Sequence, residues 1–254
     1  MKILCLNLWG GRLFEDLTKF LHTQSQSVDV FCFQEVTSSP FHDEIDIEIA
    51  GRPRFSDVFE MVTALLPEFT GFYGKELEKI PGGTSMCWGS AVFVSKKHTV
   101  SRYEEIFTYG SLEDCSSAIR AYEFRSRVLQ TVILNSEIVI HNIHGIWTPD
   151  KGDNATRLQQ SQNINAVMEQ FSLPQVLCGD LNLDPSTNSL ELLTRDRHDW
   201  VVETGVKTTR TKHVKHDDDF ADYIITTPDL TVNHFEVLKD VVSDHLPLIL
   251  ECTV

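Results

Sequence analysis

The feature that most constrains this chain is a set of short apolar runs, each of strand length, that stop on polar residues. Lys2-Ile3-Leu4-Cys5-Leu6 stops on Asn7, and Val30-Phe31-Cys32-Phe33 on Gln34-Glu35. Val139-Ile140-His141-Asn142-Ile143 is followed by His144, and Val176-Leu177-Cys178-Gly179 by Asp180 and Asn182. Towards the C-terminus the polar residues come first: Asp222 precedes Tyr223-Ile224-Ile225, and Asp244-His245 precede Leu246-Pro247-Leu248-Ile249-Leu250. Apolar runs this short read as strands covered on both faces. Such strands need a second layer on either side.

Between the runs the periodicity changes. Leu13, Phe14, Leu17, Phe20 and Leu21 have the spacing of one helix face, so the first two strands and this helix make a parallel crossover. Helices are expected at Phe55–Leu66, with Ser56 as N-cap, at Asn154–Phe171 and at Thr187–Leu193. Further strands are expected at Ser90–Val94, Thr99–Phe107, Arg127–Leu134, Glu137–His144, Tyr223–Thr226, Phe235–Val242 and Leu246–Cys252. Leu134-Asn135-Ser136-Glu137 reads as a hairpin turn and Pro81-Gly82-Gly83-Thr84 as a turn. Asp43 to Glu48 reads as a loop. No repeat or linker divides the 254 residues, which argues for one domain over residues 1–254. Many strands with a few helices indicate an α/β fold of two packed sheets with helices outside.

With 22 basic and 37 acidic residues the formal charge is −15, which opposes tight non-specific binding to long duplex nucleic acid. A carboxylate cluster holding a divalent cation inverts that sign locally. One basic segment, Lys207, Arg210, Lys212 and Lys215, interrupts the acidity. The six scattered cysteines lack a CxxC pair, and Cys5, Cys32 and Cys178 sit within apolar runs, so buried free thiols are expected. No apolar stretch is long enough to span a bilayer. Met1-Lys2 leads straight into the first strand, without a signal-like segment, so the expectation is a cytoplasmic monomer without membrane association.

Functional residues favour loops at the ends of a rigid scaffold, and the strand-end residues suit that role. Taken singly, an Asp or Asn beside a strand is more often a turn former or cap, and a His there more often structural. Taken together they form an inventory of oxygen ligands suited to a hard cation, magnesium or manganese (Mg2+ or Mn2+). A carboxylate can activate water, an asparagine can orient it, and two histidines can stabilise charge on a phosphoryl group.

At six segments the chain resembles the endonuclease/exonuclease/phosphatase superfamily. These are Leu6-Asn7-Leu8-Trp9, Phe33-Gln34-Glu35-Val36, Asn142-Ile143-His144, Gly179-Asp180-Leu181-Asn182, Asp222-Tyr223-Ile224 and Ser243-Asp244-His245-Leu246-Pro247. Gly-Asp-x-Asn followed about sixty residues later by Ser-Asp-His is the specific part. The resemblance implies a four-layer α/β/β/α sandwich of two mixed β-sheets with helices on both outer faces. It implies Glu35 as the principal metal ligand, helped by Asn7 and Asp244. It further implies Asp180 as the residue that positions or deprotonates water, Asn182 beside it, and His245 on the phosphoryl oxygens with Asp222 orienting its ring. His144 is implied to contact the phosphate. In some secreted nucleases of the group a glutamate from an earlier strand supports that histidine; the expected equivalent here, Met86-Cys87-Trp88-Gly89, has no carboxylate.

Weaker signals surround these. His213-Val214-Lys215-His216-Asp217-Asp218-Asp219 reads as a solvated loop rather than a second metal site. Arg210 is a candidate for phosphate contact and Arg157 for either the site or plain surface charge. Trp9 and Trp147 lie two or three residues beyond Asn7 and His144, placed either to stack on a base or to pack the rim. The leading expectation is a nuclease acting on short, single-stranded or end-proximal nucleic acid. The alternatives are a hydrolase of a small phosphoester or lipid head group, and a catalytically dead scaffold.

Overall fold

The computed structural model describes residues 1–39, 57–79, 86–112, 126–214 and 219–253, and among these two six-stranded sheets lie face to face. The first contains β1 (Lys2–Asn7), β2 (Val30–Ser38), β3 (Phe69–Lys79), β4 (Met86–Ser95), β11 (Thr231–Val237) and β12 (Leu248–Thr253), in the order β11-β12-β1-β2-β4-β3. The second contains β5 (Val100–Tyr109), β6 (Arg127–Leu134), β7 (Ile138–His144), β8 (Gln175–Asp180), β9 (His198–Asp199) and β10 (Asp222–Thr226), in the order β5-β6-β7-β8-β10-β9. Each sheet is mixed, with one parallel pair, β1/β2 or β7/β8, and antiparallel neighbours.

Strand alternation sorts the core into layers. Ile3, Cys5, Val30 and Cys32 join Val132, Ile140, Val176 and Cys178 between the sheets. Leu4, Leu6, Phe31 and Phe33 face the other way, onto Leu17, Phe20 and Leu21 of α1 (Phe14–Gln24) and Val58 and Val62 of α2 (Val58–Leu65). Burying side chains such as Phe31 contributes roughly 1.5–3 kcal/mol each. The second sheet is covered by α3 (Ala155–Met168), through Ile164, Val167 and Met168, and by α4 (Asn188–Thr194), through Leu190 and Leu193. A one-turn α5 (Trp200–Glu203) follows β9. The expected α/β/β/α sandwich is therefore present.

Several boundaries differ from the sequence reading. The N-cap of α2 is Asp57, whose carboxylate accepts from Glu60 N at 3.3 Å; Ser56 lies outside the described residues, as do the Asp43–Glu48 loop and the Pro81–Thr84 turn. Strand β11 ends at Val237 rather than running to Val242, because it is the edge partner of β12 and pairing stops where β12 begins. β3 was not expected at all: Phe-Thr-Gly-Phe-Tyr-Gly-Lys-Glu-Leu-Glu-Lys opens with strand formers but carries two glycines and four charges, which weaken the pattern. Pairing with β4 along its whole length supplies the order that local propensity lacks. Cys5, Cys32, Cys87, Cys178 and Cys252 are free thiols, four of them buried as expected. No described helix is long and apolar enough to cross a membrane.

Candidate active site

The inter-sheet layer is apolar at depth and turns polar at one edge. Continuing the alternation from Ile3 and Cys5 puts Asn7 on the inner face, as Cys32 does Gln34, Ile140 does Asn142 and His144, and Cys178 does Asp180. Because β1 runs parallel to β2 and β7 to β8, their last residues gather at that edge. β10 is antiparallel to β8 and β12 to β1, so the first residue of β10 and the residues preceding β12 arrive at the same place. This topology explains why chemical residues end the early strands and precede the late ones.

Two bulges break the alternation. In β2, Phe33 pairs with Ala91 and Val36 with Gly89, so Gln34 and Glu35 together oppose Ser90. Glu35 holds a left-handed φ of 53°, which costs about 1 kcal/mol for a residue with a side chain. In β3, Lys75 pairs with Gly89 and Leu77 with Trp88, leaving Glu76 as the extra residue. Bulges re-aim side chains beside active sites. Here one turns out Glu35, and the other directs Glu76 inward, fully buried, to 3.9 Å from His144 Nδ1. The carboxylate expected but missing at Met86–Gly89 is thus supplied by Glu76 on the unexpected strand. Ser90 Oγ donates to Glu76 at 3.0 Å, and Arg127 Nη1 lies 3.4 Å from its other oxygen.

At the centre stands Asp180. Asn7 Nδ2 donates to its Oδ2 at 2.9 Å, and the backbone N–H of Asn182 donates to its Oδ1 at 3.0 Å. His144 Nε2 is 3.8 Å and His245 Nε2 3.6 Å from Oδ2. His245 Nδ1 is bonded to both oxygens of Asp222 at 2.8 Å, and Thr209 Oγ1 donates to Asp222 Oδ2 at 2.9 Å. Gly179, before Asp180, has φ 153°, and a Cβ there would lie 1.9 Å from Ile143 O; the first residue of Gly-Asp-x-Asn is glycine because β7 passes too close for anything larger.

The electrostatics follow from this burial. Burial pushes the Asp180 carboxyl above its ordinary value, with His245 pulling the other way. Burial would raise Asp222 too, but the charges of His245 and Arg210 and the bonds from His245 and Thr209 bring it below. Burial and Arg210 oppose protonation of His245, yet Asp222, Asp180 and Asp244 hold its pKa above that of free imidazole. Asp244 is raised by burial, and Glu35 adds to the effect. Asp222 is thus shifted towards its anion and His245 towards its cation, beside an Asp180 carboxyl shifted towards its neutral form, a separation of acid and base roles.

The donor set fits a hard divalent cation. Glu35 and Asp244 repel one another, which a cation would relieve. Asn182, also left-handed at φ 55°, keeps a buried Oδ1 with no hydrogen-bond partner. Among the described residues the tight group of metal-capable side chains is Asp180, Asp222 and His245, with one ligand-type atom from each within 4.8 Å of the others. On the resemblance to the family these three carry catalytic roles and the ion belongs to Glu35, Asn7 and Asp244. Asn7 meets Asp180 directly and accepts from Trp9 N at 2.9 Å through its Oδ1.

Around this centre lies a basic, aromatic rim. The backbone of Arg210 bridges that of His245, and Arg210 Nη1 contacts His245 Nε2, so the expected phosphate contact lies at the site. Trp9 has the Arg12 guanidinium 4.4 Å above its ring and His213 6.0 Å away. Trp147 is half-buried in the loop after β7, and Lys212 is exposed; Lys215 lies outside the described residues, as does most of the His213–Asp219 run. Arg157 is neither surface charge nor directed at substrate. It is 1% exposed and donates to Ile146 O, Gly152 O and Asn182 O, tying down the loop that carries Asn182. No sequence signal marks Glu76, whereas Arg157 stands out as a charge early on its helix that suits either the site or the surface.

A family profile described as "Endonuclease/Exonuclease/phosphatase family" matches residues 4–245. No curated protein matches the sequence. Among solved structures, an endonuclease/exonuclease/phosphatase family protein from Leptotrichia buccalis is 20% identical with a TM-score of 0.71, all of each chain being covered. A mannosyl-6-phosphatase from Bacteroides thetaiotaomicron is 16% identical with a TM-score of 0.70, again over the whole of both chains. The human Nocturnin catalytic domain, solved with a bound sulfate anion, is 16% identical with a TM-score of 0.62, covering 100% of this chain and 93% of that one. At these identities the solved structures share the fold.

Proposed function

The chain belongs to the endonuclease/exonuclease/phosphatase family and is a phosphoester hydrolase; from that premise we propose that it is a divalent-metal-dependent phosphodiesterase acting on short, single-stranded or end-proximal nucleic acid. The observation that carries the choice of substrate is the rim. In a chain of net charge −15, Arg210 contacts His245, and Arg12 and His213 flank Trp9, whose backbone N–H donates to Asn7, a combination suited to phosphate and base.

Glu35 and Asp244, with Asn7, would hold a magnesium or manganese ion. When bound, that ion polarises phosphoryl oxygens and neutralises developing charge. Asp180 takes the proton of the attacking water at Oδ2, between Asn7 and the two histidines, and Asn182 directs that water with its unpartnered Oδ1. His245, held by Asp222, donates from Nε2 to the phosphoryl oxygen, and Arg210 approaches the same oxygen. His144, backed by Glu76, supports the opposite side, and Trp147, half-buried in the loop after His144, would border the substrate.

A small phosphoester is the second reading, favoured by the overall acidity. Purified protein with magnesium or manganese, offered labelled single-stranded DNA, duplex DNA, RNA and a generic phosphodiester, should cleave single strands fastest and stop on chelation. Turnover of the small ester alone would overturn the nucleic-acid reading. Full activity in excess chelator would overturn the metal.

A further inference from the structure

The bulge that turns out Glu35 is held from the opposite sheet. Asn142, on the inner face of β7 and fully buried, donates through Nδ2 to Phe33 O at 3.1 Å and Ala91 O at 3.2 Å. Phe33 and Ala91 are the last pair in register before the bulge. Its Oδ1 accepts from Gln34 Nε2 at 2.6 Å, and Gln34 is the first residue of the bulge itself. Gln130 Oε1 is a third acceptor, 3.0 Å from Nδ2, so the two N–H groups are shared among three oxygens. Acceptors around Nδ2 and a donor facing Oδ1 assign the amide orientation without ambiguity. Gln34 Nε2 is further tied to Cys32 O at 3.3 Å, and Gln130 Nε2 to Phe72 O at 3.1 Å and Tyr103 Oη at 2.9 Å.

We propose that Asn142 and Gln34 are positioning residues: an amide pin from the second sheet clamps both strands of the β2–β4 bulge and sets the Glu35 carboxylate for the divalent cation. The inference rests on the reading of Glu35 as a ligand of that cation. A left-handed glutamate on a bulge is a strained arrangement that persists only when its surroundings over-determine it. Asn142 supplies that restraint with bonds to each strand of the ladder, and Gln34 connects the restraint to the residue next to Glu35. Asn142 is also two residues before His144, so the same pin sets the spacing between the Glu35 and His144 edges of the two sheets.

A structural amide and a positioning amide differ in what they move. Residues that orient a metal ligand typically change metal affinity 10- to 100-fold. Binding of Mn2+ alone, followed by the electron paramagnetic resonance of the free ion, should weaken at least about tenfold in Asn142→Leu and in the near-isosteric Gln34→Met. The double variant should be little weaker than either, because the two act as one unit. Gln130→Leu removes an acceptor of the same network while leaving the bonds to Phe33 and Ala91, so it should lower stability and keep the wild-type Mn2+ affinity. Urea unfolding of each variant gives the folded fraction by which binding is normalised, and Gln34→Met carries the test if Asn142→Leu does not fold. Equal affinities in wild type, Asn142→Leu and Gln34→Met, with differences in stability alone, would overturn the pin. So would a Gln130→Leu loss as large as theirs. Absence of Mn2+ binding by wild type, or undiminished binding by Glu35→Gln, would instead overturn the reading of the cation site.

Discussion

Acidification from about pH 7 to pH 5 should cost the native state about 2 kcal/mol through His141 alone, a residue outside the catalytic edge. The His141 ring is fully buried on the α3 side of β7, 5.7 Å from the ring of Phe171. Gln175 Nε2 donates to Met168 O and Phe171 O, which turns Gln175 Oε1 towards His141 Nε2 at 3.0 Å. His141 is therefore the neutral Nε2–H tautomer, and Nδ1 accepts from Thr131 Oγ1 at 2.9 Å. Burial lowers its pKa from 6.5 to about 4, against a smaller upward pull from Gln175. Between those values the unfolded chain takes a proton that the native chain refuses. The contribution is complete above about pH 6.5, falls by about 1.4 kcal/mol per unit, and is lost, about 3 kcal/mol in all, as pH drops through about 4. Asp199 acts with the opposite sign, since burial raises its carboxyl to about 6, so the quantity to read is a difference between proteins. Urea unfolding of wild type and His141→Gln at several pH values should give stability curves that converge towards acid, with the variant flatter by about one proton. Parallel curves, or an imidazole of His141 titrating near 6.5 by NMR, would refute the reasoning.

Three further outcomes follow from the site. Asp180→Asn or His245→Ala should lower turnover at least about a hundredfold while circular dichroism stays native; near wild-type turnover in either would remove that residue from the chemistry. Gly179→Ala places a methyl on Ile143 O and should destabilise by about 2 kcal/mol or more in urea, whereas an unchanged midpoint would show that β7 and β8 can part. Arg210→Ala with Lys212→Ala should weaken binding of single strands and flatten a salt dependence of about two to four counterions, and should also slow cleavage of a minimal diester because Arg210 shares the phosphoryl oxygen with His245; a steep dependence with tight binding to intact duplex would contradict this picture of the surface.

Much of the site was legible because strand alternation and abrupt polar endings survive in one dimension. Asn7, His144, Asp180 and Asp222 could be placed at strand ends from their neighbours alone, and the order Gly-Asp-x-Asn then Ser-Asp-His named the family. Lys207 to Lys215 stood out as basic against an acidic whole, and Arg210 does reach His245. Other features were not legible. Glu35 is named by the resemblance but its placement is not, since alternation sends it to the face opposite Gln34 and only the bulge against Ser90 re-aims it. Glu76 lies on a strand whose glycines and charges argue against a strand, and it meets His144, 68 positions away, because β3 closes the sheet beside β4. Arg157 reads as either a site residue or surface charge until its three carbonyl acceptors are seen.

The sequence by itself determined which residues face inward, where apolar runs end, and which chemistry such ends can perform, since these depend on a residue and its near neighbours. Which inward face meets which, where a ladder slips by one residue, and which buried charge finds its partner were decided only by the tertiary structure. Those contacts join segments as far apart as Gln34 and Asn142, and their geometry exists only once the two sheets have closed on one another.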